Sequence, residues 1–302
     1  MIWSLRGRVL DFGDRVQIMG IINVTPDSFY DGGSYADAGA AIERALQLVD
    51  EGAAIIDVGG ESSRPPMYGA AEQVSVDEEC RRVLPIIAGV RRQSEAILSI
   101  DTVKSEVVRR AFEAGADIIN DISALQQDAA MAETAAHLGA PVVLMHRRGN
   151  TATMQQNTHY DDLIGEVYGF LEERVKEARA QGVEYVAVDP GLGFGKSREG
   201  NLALMRSLDR FLALQCPLLV GASRKSFLWK PIGRSPEQSL AASVAAAVMA
   251  AVHGARILRV HDVADTIDAL QVVQATGFDD SFSVADTGSV SSSTNMTHSL
   301  AT

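Results

Sequence analysis

Met19-Gly20-Ile21-Ile22-Asn23-Val24-Thr25-Pro26-Asp27-Ser28-Phe29-Tyr30-Asp31-Gly32-Gly33 begins as an apolar run and turns abruptly polar. Residues 18–22 read as a buried strand. Asn23, Thr25, Asp27, Ser28 and Asp31 follow, and Pro26 with the Gly32-Gly33 pair demands a loop of unusual backbone angles. A strand that delivers an amide and two carboxylates into a glycine-rich loop is either the rim of an active site or an ordinary polar turn. Recurrence of the design along the chain decides between the two.

The apolar, β-branched signature returns at residues 16–22, 54–58, 97–100, 117–122, 142–145, 185–188, 218–220 and 257–260. Helix-period segments separate these strands, among them 38–51, 103–114, 129–138, 161–181, 202–214 and 240–253. Gly52, Gly115, Gly139, Gly182 and Gly254 stand where such helices stop. Repeated strand–helix units with nearly unbroken apolar strands imply a parallel sheet buried on both faces. The fold class is therefore α/β, and its simplest closed form is a (β/α)8 TIM barrel; an open doubly wound sheet is the alternative. Residues 2–16 predict an N-terminal β-hairpin turning near Asp11-Phe12-Gly13-Asp14. The Ser-, Thr- and Asp-rich stretch 279–302 predicts a disordered tail, which leaves residues 1–278 as one barrel domain.

Across 302 residues the net charge is −12. An acidic chain lacks the basic face that nucleic acid requires, so an anionic ligand must be met by a local cluster of Arg and Lys. The longest apolar run, 240–252, is broken by Ser243 and too short to span a bilayer. The first residues lack the apolar core of a secretion leader. Cys80 and Cys216 lie in apolar contexts without CxxC spacing, which predicts buried, reduced thiols in a cytoplasmic protein. The histidines lack paired ligand spacing, so tightly held zinc is not expected.

In a barrel the C-terminal strand ends share one mouth. The residues there are Asn23; Asp57 and Glu61-Ser62-Ser63-Arg64; Asp101-Thr102; Asn120-Asp121; Met145-His146; Asp189-Pro190-Gly191; Ser223-Arg224-Lys225; and Arg259 with His261-Asp262. Each alone reads as a helix N-cap after a strand. Together they form two chemical sets. Asp101, Asn120, Asp189 and Lys225 suit a flat heterocycle bearing amino, ring N–H and carbonyl groups. Arg64, Arg259 and His261, with Asn23 nearby, suit a polyphosphate. Gly191-Leu192-Gly193-Phe194-Gly195-Lys196-Ser197 imitates a phosphate loop, but Pro190 stands where its first glycine belongs. It reads instead as a mobile rim around Phe194.

Asn23-Val24-Thr25-Pro26-Asp27-Ser28-Phe29 with Asp31-Gly32-Gly33, the Glu61-Ser62-Ser63-Arg64-Pro65 loop and Asp189-Pro190-Gly191-x-Gly193-Phe194-Gly195-Lys196 together resemble dihydropteroate synthase, a pterin-binding TIM-barrel family. Ser223-Arg224-Lys225-Ser226-Phe227 and Arg259-Val260-His261-Asp262-Val263 extend the resemblance. It implies a transferase of folate biosynthesis. Such an enzyme joins p-aminobenzoate to 6-hydroxymethyl-7,8-dihydropterin pyrophosphate with Mg2+, and releases pyrophosphate and 7,8-dihydropteroate. By that resemblance Asp101, Asn120, Asp189 and Lys225 hold the pterin, with Met145 against its ring. Asn23, Arg64, Arg259 and His261 hold the pyrophosphate, Asn23 also touching the metal. Ser63, Pro65, Phe194 and Ser226 border p-aminobenzoate, and Phe29 and Asp31 belong to the first loop. The catalytic set is Arg64, Asp101, Lys225, Arg259 and His261, and a homodimer is implied.

Ser63, Pro66, Arg147, Gly200 and Trp229 depart from the family's usual residues. They remove no group that the chemistry needs, but bear on loop shape and sulfonamide sensitivity. Two rival readings stay open: a pterin-dependent methyltransferase, which has no use for the Arg–His set, and a catalytically silent pterin-binding protein.

Overall fold

A computed structural model describes residues 1–24, 35–62, 74–149, 153–277 and 283–284. The loop residues Thr25 to Gly33, the positions Ser63, Arg64, Pro65 and Pro66, and most of the 279–302 segment lie outside it.

The chain opens with β1 (Ile2–Leu5) and β2 (Arg8–Asp11), an antiparallel hairpin. Its turn is Arg6-Gly7, not the expected Asp11–Asp14 region. Both turn residues have positive φ, 46° and 84°, the backbone hand that suits the twist of a two-residue hairpin. Residues 11–14 merely link β2 to the next strand.

The barrel strands follow: β3 (Arg15–Asn23), β4 (Ile55–Gly59), β5 (Ile97–Asp101), β6 (Ile118–Asp121), β7 (Val142–Met145), β8 (Val186–Asp189), β9 (Leu219–Val220) and β10 (Ile257–Val260). All pair in parallel, in the order β8-β7-β6-β5-β4-β3-β10-β9. A parallel bridge between Val188 and Leu218 joins the two ends, so the sheet closes into the expected TIM barrel.

Around it stand α1 (Tyr35–Asp50), α2 (Val76–Arg91), α3 (Ser105–Ala114), α4 (Met131–Leu138), α5 (Leu163–Ala180), α6 (Arg198–Arg206), α7 (Ser226–Trp229), α8 (Leu240–Val252) and α9 (Val263–Ala275). The helix expected over 202–214 is two pieces, because α6 starts earlier, at the Ser197 cap, and a 3-10 helix covers Leu208–Leu214. The five glycines expected to stop helices all have left-handed backbone. Within the segment expected to be disordered, β11 (Ser283–Val284) pairs in parallel with the start of β3.

β4, β6, β7 and β8 are buried at every position, as parallel strands covered on both faces must be. One apolar core fills the space between strands and helices. A second plugs the N-terminal end of the barrel, where Trp3, Leu5, Leu10 and Phe12 of the hairpin region pack on Met19, Ile55, Ile97, Ile118 and Val143. Trp3 meets Phe12 edge-to-face at 4.8 Å. Burying each such side chain contributes about 1.5–3 kcal/mol, and the plug leaves only the opposite end open.

Candidate active site

Side chains along a barrel strand alternate between the axis and the surrounding helices. The ring beside the plug is apolar: Met19, Ile55, Ile97, Ile118, Val143, Ala187, Leu219 and Ile257. Two residues on, the same face carries Ile21, Asp57, Ser99, Asn120, Met145, Asp189, Gly221 and Arg259. Two further on lie Asn23, Gly59, Asp101, Ser223 and His261. The chemistry thus starts where the apolar ring ends. Register ties the strands together, with Asn23 opposite Gly59, Gly59 opposite Asp101, and Asp101 opposite Asn120.

Arg259 is the hub. Its Nε donates to Asp57 Oδ2 at 2.7 Å and its Nη2 to Asp101 Oδ2 at 2.9 Å. Asn120 Nδ2 donates to the same Asp57 oxygen at 3.1 Å. Asp57 is fully buried. Burial works to lower the Arg259 pKa, but the charges of Asp57 and Asp101 outweigh it and raise it. Burial pushes the Asp101 carboxyl up to about 7; Arg259 pulls it down, and Asp57 and Glu79 push it further up. Burial also raises the pKa of Asp189, against the pull of Lys225. Lys225 is drawn down by burial to about 8, against Asp189. Carboxylate and ammonium here sit within reach of neutral pH, which is where functional groups concentrate.

Lys225 owes its position to a strained neighbour. Arg224 has a left-handed φ of 56°, a conformation a non-glycine residue keeps only when its surroundings hold it. Its backbone N–H donates to Ser243 Oγ at 2.9 Å, its carbonyl accepts from the Trp229 indole at 3.1 Å, and its guanidinium pairs with Asp262 at 2.6 Å. Trp229 is thereby a brace of this turn. Lys225 Nζ lies 4.7 Å from the Phe194 ring centre and donates to the Leu192 carbonyl.

The glycine-rich loop after β8 is built around an internal ammonium. Lys196 is buried, and its Nζ donates to the carbonyls of Gly191 at 2.9 Å, Phe194 at 3.0 Å and His146 at 3.3 Å, and meets His146 Nδ1 at 2.9 Å. Burial holds Lys196 well below its ordinary pKa and drives His146 down to about 2, so the imidazole is neutral and accepts. Gly191 has φ of 68°, and a Cβ there would lie 1.9 Å from the His146 carbonyl oxygen. The lysine therefore faces inward, unlike that of a phosphate loop.

Of the residues singled out in the sequence, Asp101, Asn120 and Arg259 form one bonded network. Lys225 lies over the Phe194 ring and within the electrostatic reach of Asp189. His261 Nδ1 lies 3.0 Å from Ser223 Oγ at the adjoining strand ends. Asn23 is half-buried at the end of β3, Met145 is buried at the end of β7, and Ser226 opens α7. Ser63 and Arg64 lie outside the described residues. Beside Asp101 a cleft is lined by Glu61, Ser62, Ile122 and Arg147, and Lys104 ties Glu61 to the buried Glu79. Asp57 and Lys196 carried no assigned role in the sequence. The signal for Asp57 was present: a carboxylate within Ile55-Ile56-Asp57-Val58 cannot be buried without a partner.

Residues 19–261 match the pterin binding enzyme family. The dihydropteroate synthase of Escherichia coli (strain K12) is 46% identical over 261 residues, covering 86% of this chain and 91% of that one. The solved structure of Xanthomonas albilineans dihydropteroate synthase with 4-aminobenzoic acid superposes with a TM-score of 0.83 at 47% identity, over 90% of this chain and 96% of that one. That of Yersinia pestis dihydropteroate synthase with a sulfonamide drug has a TM-score of 0.86 at 41% identity, over 92% of this chain and all of that one. Plugged barrel, polar mouth and matched motifs coincide, and the chain belongs to the pterin binding enzyme family, in its dihydropteroate synthase branch.

Proposed function

We propose that this mouth joins p-aminobenzoate to 6-hydroxymethyl-7,8-dihydropterin pyrophosphate, forming 7,8-dihydropteroate and releasing pyrophosphate. Arg259 carries the reading. Two carboxylates hold one edge of its guanidinium, while Nη1 has no hydrogen-bond partner among the described residues. A cation fixed on one side and open on the other is suited to a phosphate group.

The arylamine is a weak nucleophile, so the step begins at the leaving group. The methylene C–O bond breaks and its electron pair leaves with pyrophosphate. The methylene cation conjugates into the electron-rich dihydropterin, the amine nitrogen forms the new C–N bond, and that nitrogen then releases a proton to solvent. Arg259, His261 and Arg64 stabilise the departing charge. Ionised Asp101 stabilises the positive pterin, which Asn120, Asp189 and Lys225 orient against Met145. Ser63, Phe194 and Ser226 border the arylamine. No covalent enzyme intermediate is required.

Among the described residues no group of three or more His, Cys, Asp or Glu could hold a metal. A Mg2+ held largely by substrate phosphates and water needs few protein donors, and the Asn23 amide oxygen at the strand end fits as one of them. Bound there, the ion would add to charge neutralisation on the leaving pyrophosphate.

The outer face of α8 supports a homodimer. The helix carries no charged residue, and Leu240 and Met249, with Val272 of α9, are exposed. Cys80 and Cys216 are buried and unpaired, as the reduced thiols of a cytoplasmic enzyme are; no described helix is long and apolar enough to cross a membrane.

The test is pyrophosphate release with Mg2+, with and without p-aminobenzoate. Release that requires p-aminobenzoate and yields dihydropteroate is the expected result. Pterin binding without release would favour a silent binder or the methyltransferase.

A further inference from the structure

We infer that Asp57 is a positioning residue that couples the pyrophosphate arm of the site to its heterocycle arm, through one carboxylate oxygen shared by Arg259 and Asn120. The residue is fully buried beneath the mouth, so it acts on a ligand only through its partners. Its Oδ2 accepts from Arg259 Nε at 2.7 Å and from Asn120 Nδ2 at 3.1 Å. Its other oxygen, Oδ1, is buried without a partner, as is Oγ of Ser99, its register neighbour on β5. Among the described residues, Arg259 and Asn120 are thus the whole compensation of its charge.

Two consequences follow from the chemistry of a carboxylate. An ionised carboxylate only accepts, so it selects the amide orientation of Asn120: Nδ2 turns toward Asp57 and Oδ1 toward the pocket. Asn120 is then an acceptor, and the ring edge it meets must offer an N–H or amino group. The same oxygen holds the Nε edge of Arg259, so that Nη2 reaches Asp101 at 2.9 Å and Nη1 is left for the leaving group. An amide at position 57 would keep the shape but could donate as well as accept, which frees both choices.

This inference rests on the synthase reading above. Wild-type turnover tests that reading, whereas comparison among variants tests the inference, and affinity for 7,8-dihydropteroate can be read even without turnover. Asp57→Asn is measured well below its melting midpoint for dihydropteroate affinity by calorimetry and for kcat and both KM values by pyrophosphate release. Asp117→Asn, which removes another buried carboxylate at the closed end of the barrel, is the control for general loss of stability. Asp57→Asn is expected to weaken dihydropteroate binding and lower kcat, each about 10- to 100-fold, with the p-aminobenzoate KM and the control unaffected. In an Arg259→Lys background its further loss of kcat should shrink to within about threefold, while the loss of dihydropteroate affinity through Asn120 persists. Wild-type affinity and kcat in Asp57→Asn, an equal kcat loss in both backgrounds, or an equal loss in the Asp117→Asn control would each overturn the inference.

Discussion

At the closed end of the barrel one carboxylate lies between two arginines; at the open end one arginine lies between two carboxylates. Asp117 accepts from Arg8 Nη2 at 2.5 Å, from Arg91 Nη2 at 2.6 Å and from the Leu98 N–H at 2.9 Å. Both of its oxygens are used, and the pairing staples the hairpin plug to α2 and β5. Arg259, by contrast, is shared by Asp57 and Asp101, and the surplus is negative. Among the described residues Asp57 Oδ1 is left without a donor, and Asp101 is pushed up to about 7, burial being the main cause. The same residue types thus make a structural knot when cations are in excess and a responsive site when anions are.

The sharpest way to break this contrast is Arg259→Ala. Loss of the arginine that Asp57 and Asp101 hold should lower turnover by about 100- to 1000-fold, measured as p-aminobenzoate-dependent pyrophosphate release; full turnover would remove Arg259 from the chemistry. Next is Asp117→Asn, which breaks a buried ion pair on both sides. It should cost about 3 kcal/mol of stability in a denaturant titration, with the kcat of the folded enzyme unchanged. A fall in kcat without a fall in stability would reverse the roles of the two ends.

A pH profile sharpens the contrast further. Asp101 must be ionised to stabilise a positive pterin, so kcat/KM should rise as pH climbs through about 7. Lys225 must keep its proton, so kcat/KM should fall above about 8, and Asp101→Asn should abolish the acid limb. The sign for stability is opposite. With its folded pKa above the ordinary 3.8, Asp101 binds its proton more tightly when folded, and stability falls as pH rises from 3.8 to about 7. The smallest effect belongs to the brace behind Lys225: Trp229→Gly, which removes the indole bond to the Arg224 carbonyl, should raise the pterin KM by at most about tenfold.

Much of this was legible in the chain, for identifiable reasons. Strands buried on both faces are written as uninterrupted apolar runs, so the eight barrel strands stood out, and the switch to Asn, Asp, Arg and His at their ends marked the mouth. Pairings across long sequence separations were not legible. Nothing near Asp57 points to Arg259, and nothing near Asp117 points to Arg8; closure of the barrel creates both. Asp11-Phe12-Gly13-Asp14 carries stronger turn chemistry than Arg6-Gly7, so the sequence points the hairpin turn there, although Arg6 takes the left-handed turn. Apolar spacing continues across the switch to 3-10 geometry at Leu208, so residues 202–214 read as one helix in the sequence. Pro190 in place of the first glycine already sets Lys196 apart from a phosphate loop, but nothing in the sequence shows the carbonyl cage that holds it.

The responsive carboxyl at the mouth is best tested by infrared difference spectroscopy of the unliganded enzyme, following the carbonyl stretch of protonated carboxyl groups through neutral pH. A carboxyl band in the wild type that disappears as pH rises through about 7, and is absent from Asp101→Asn, is the predicted result. A wild-type spectrum in which every carboxyl group is already ionised by about pH 5, as for ordinary aspartates and glutamates, would contradict it.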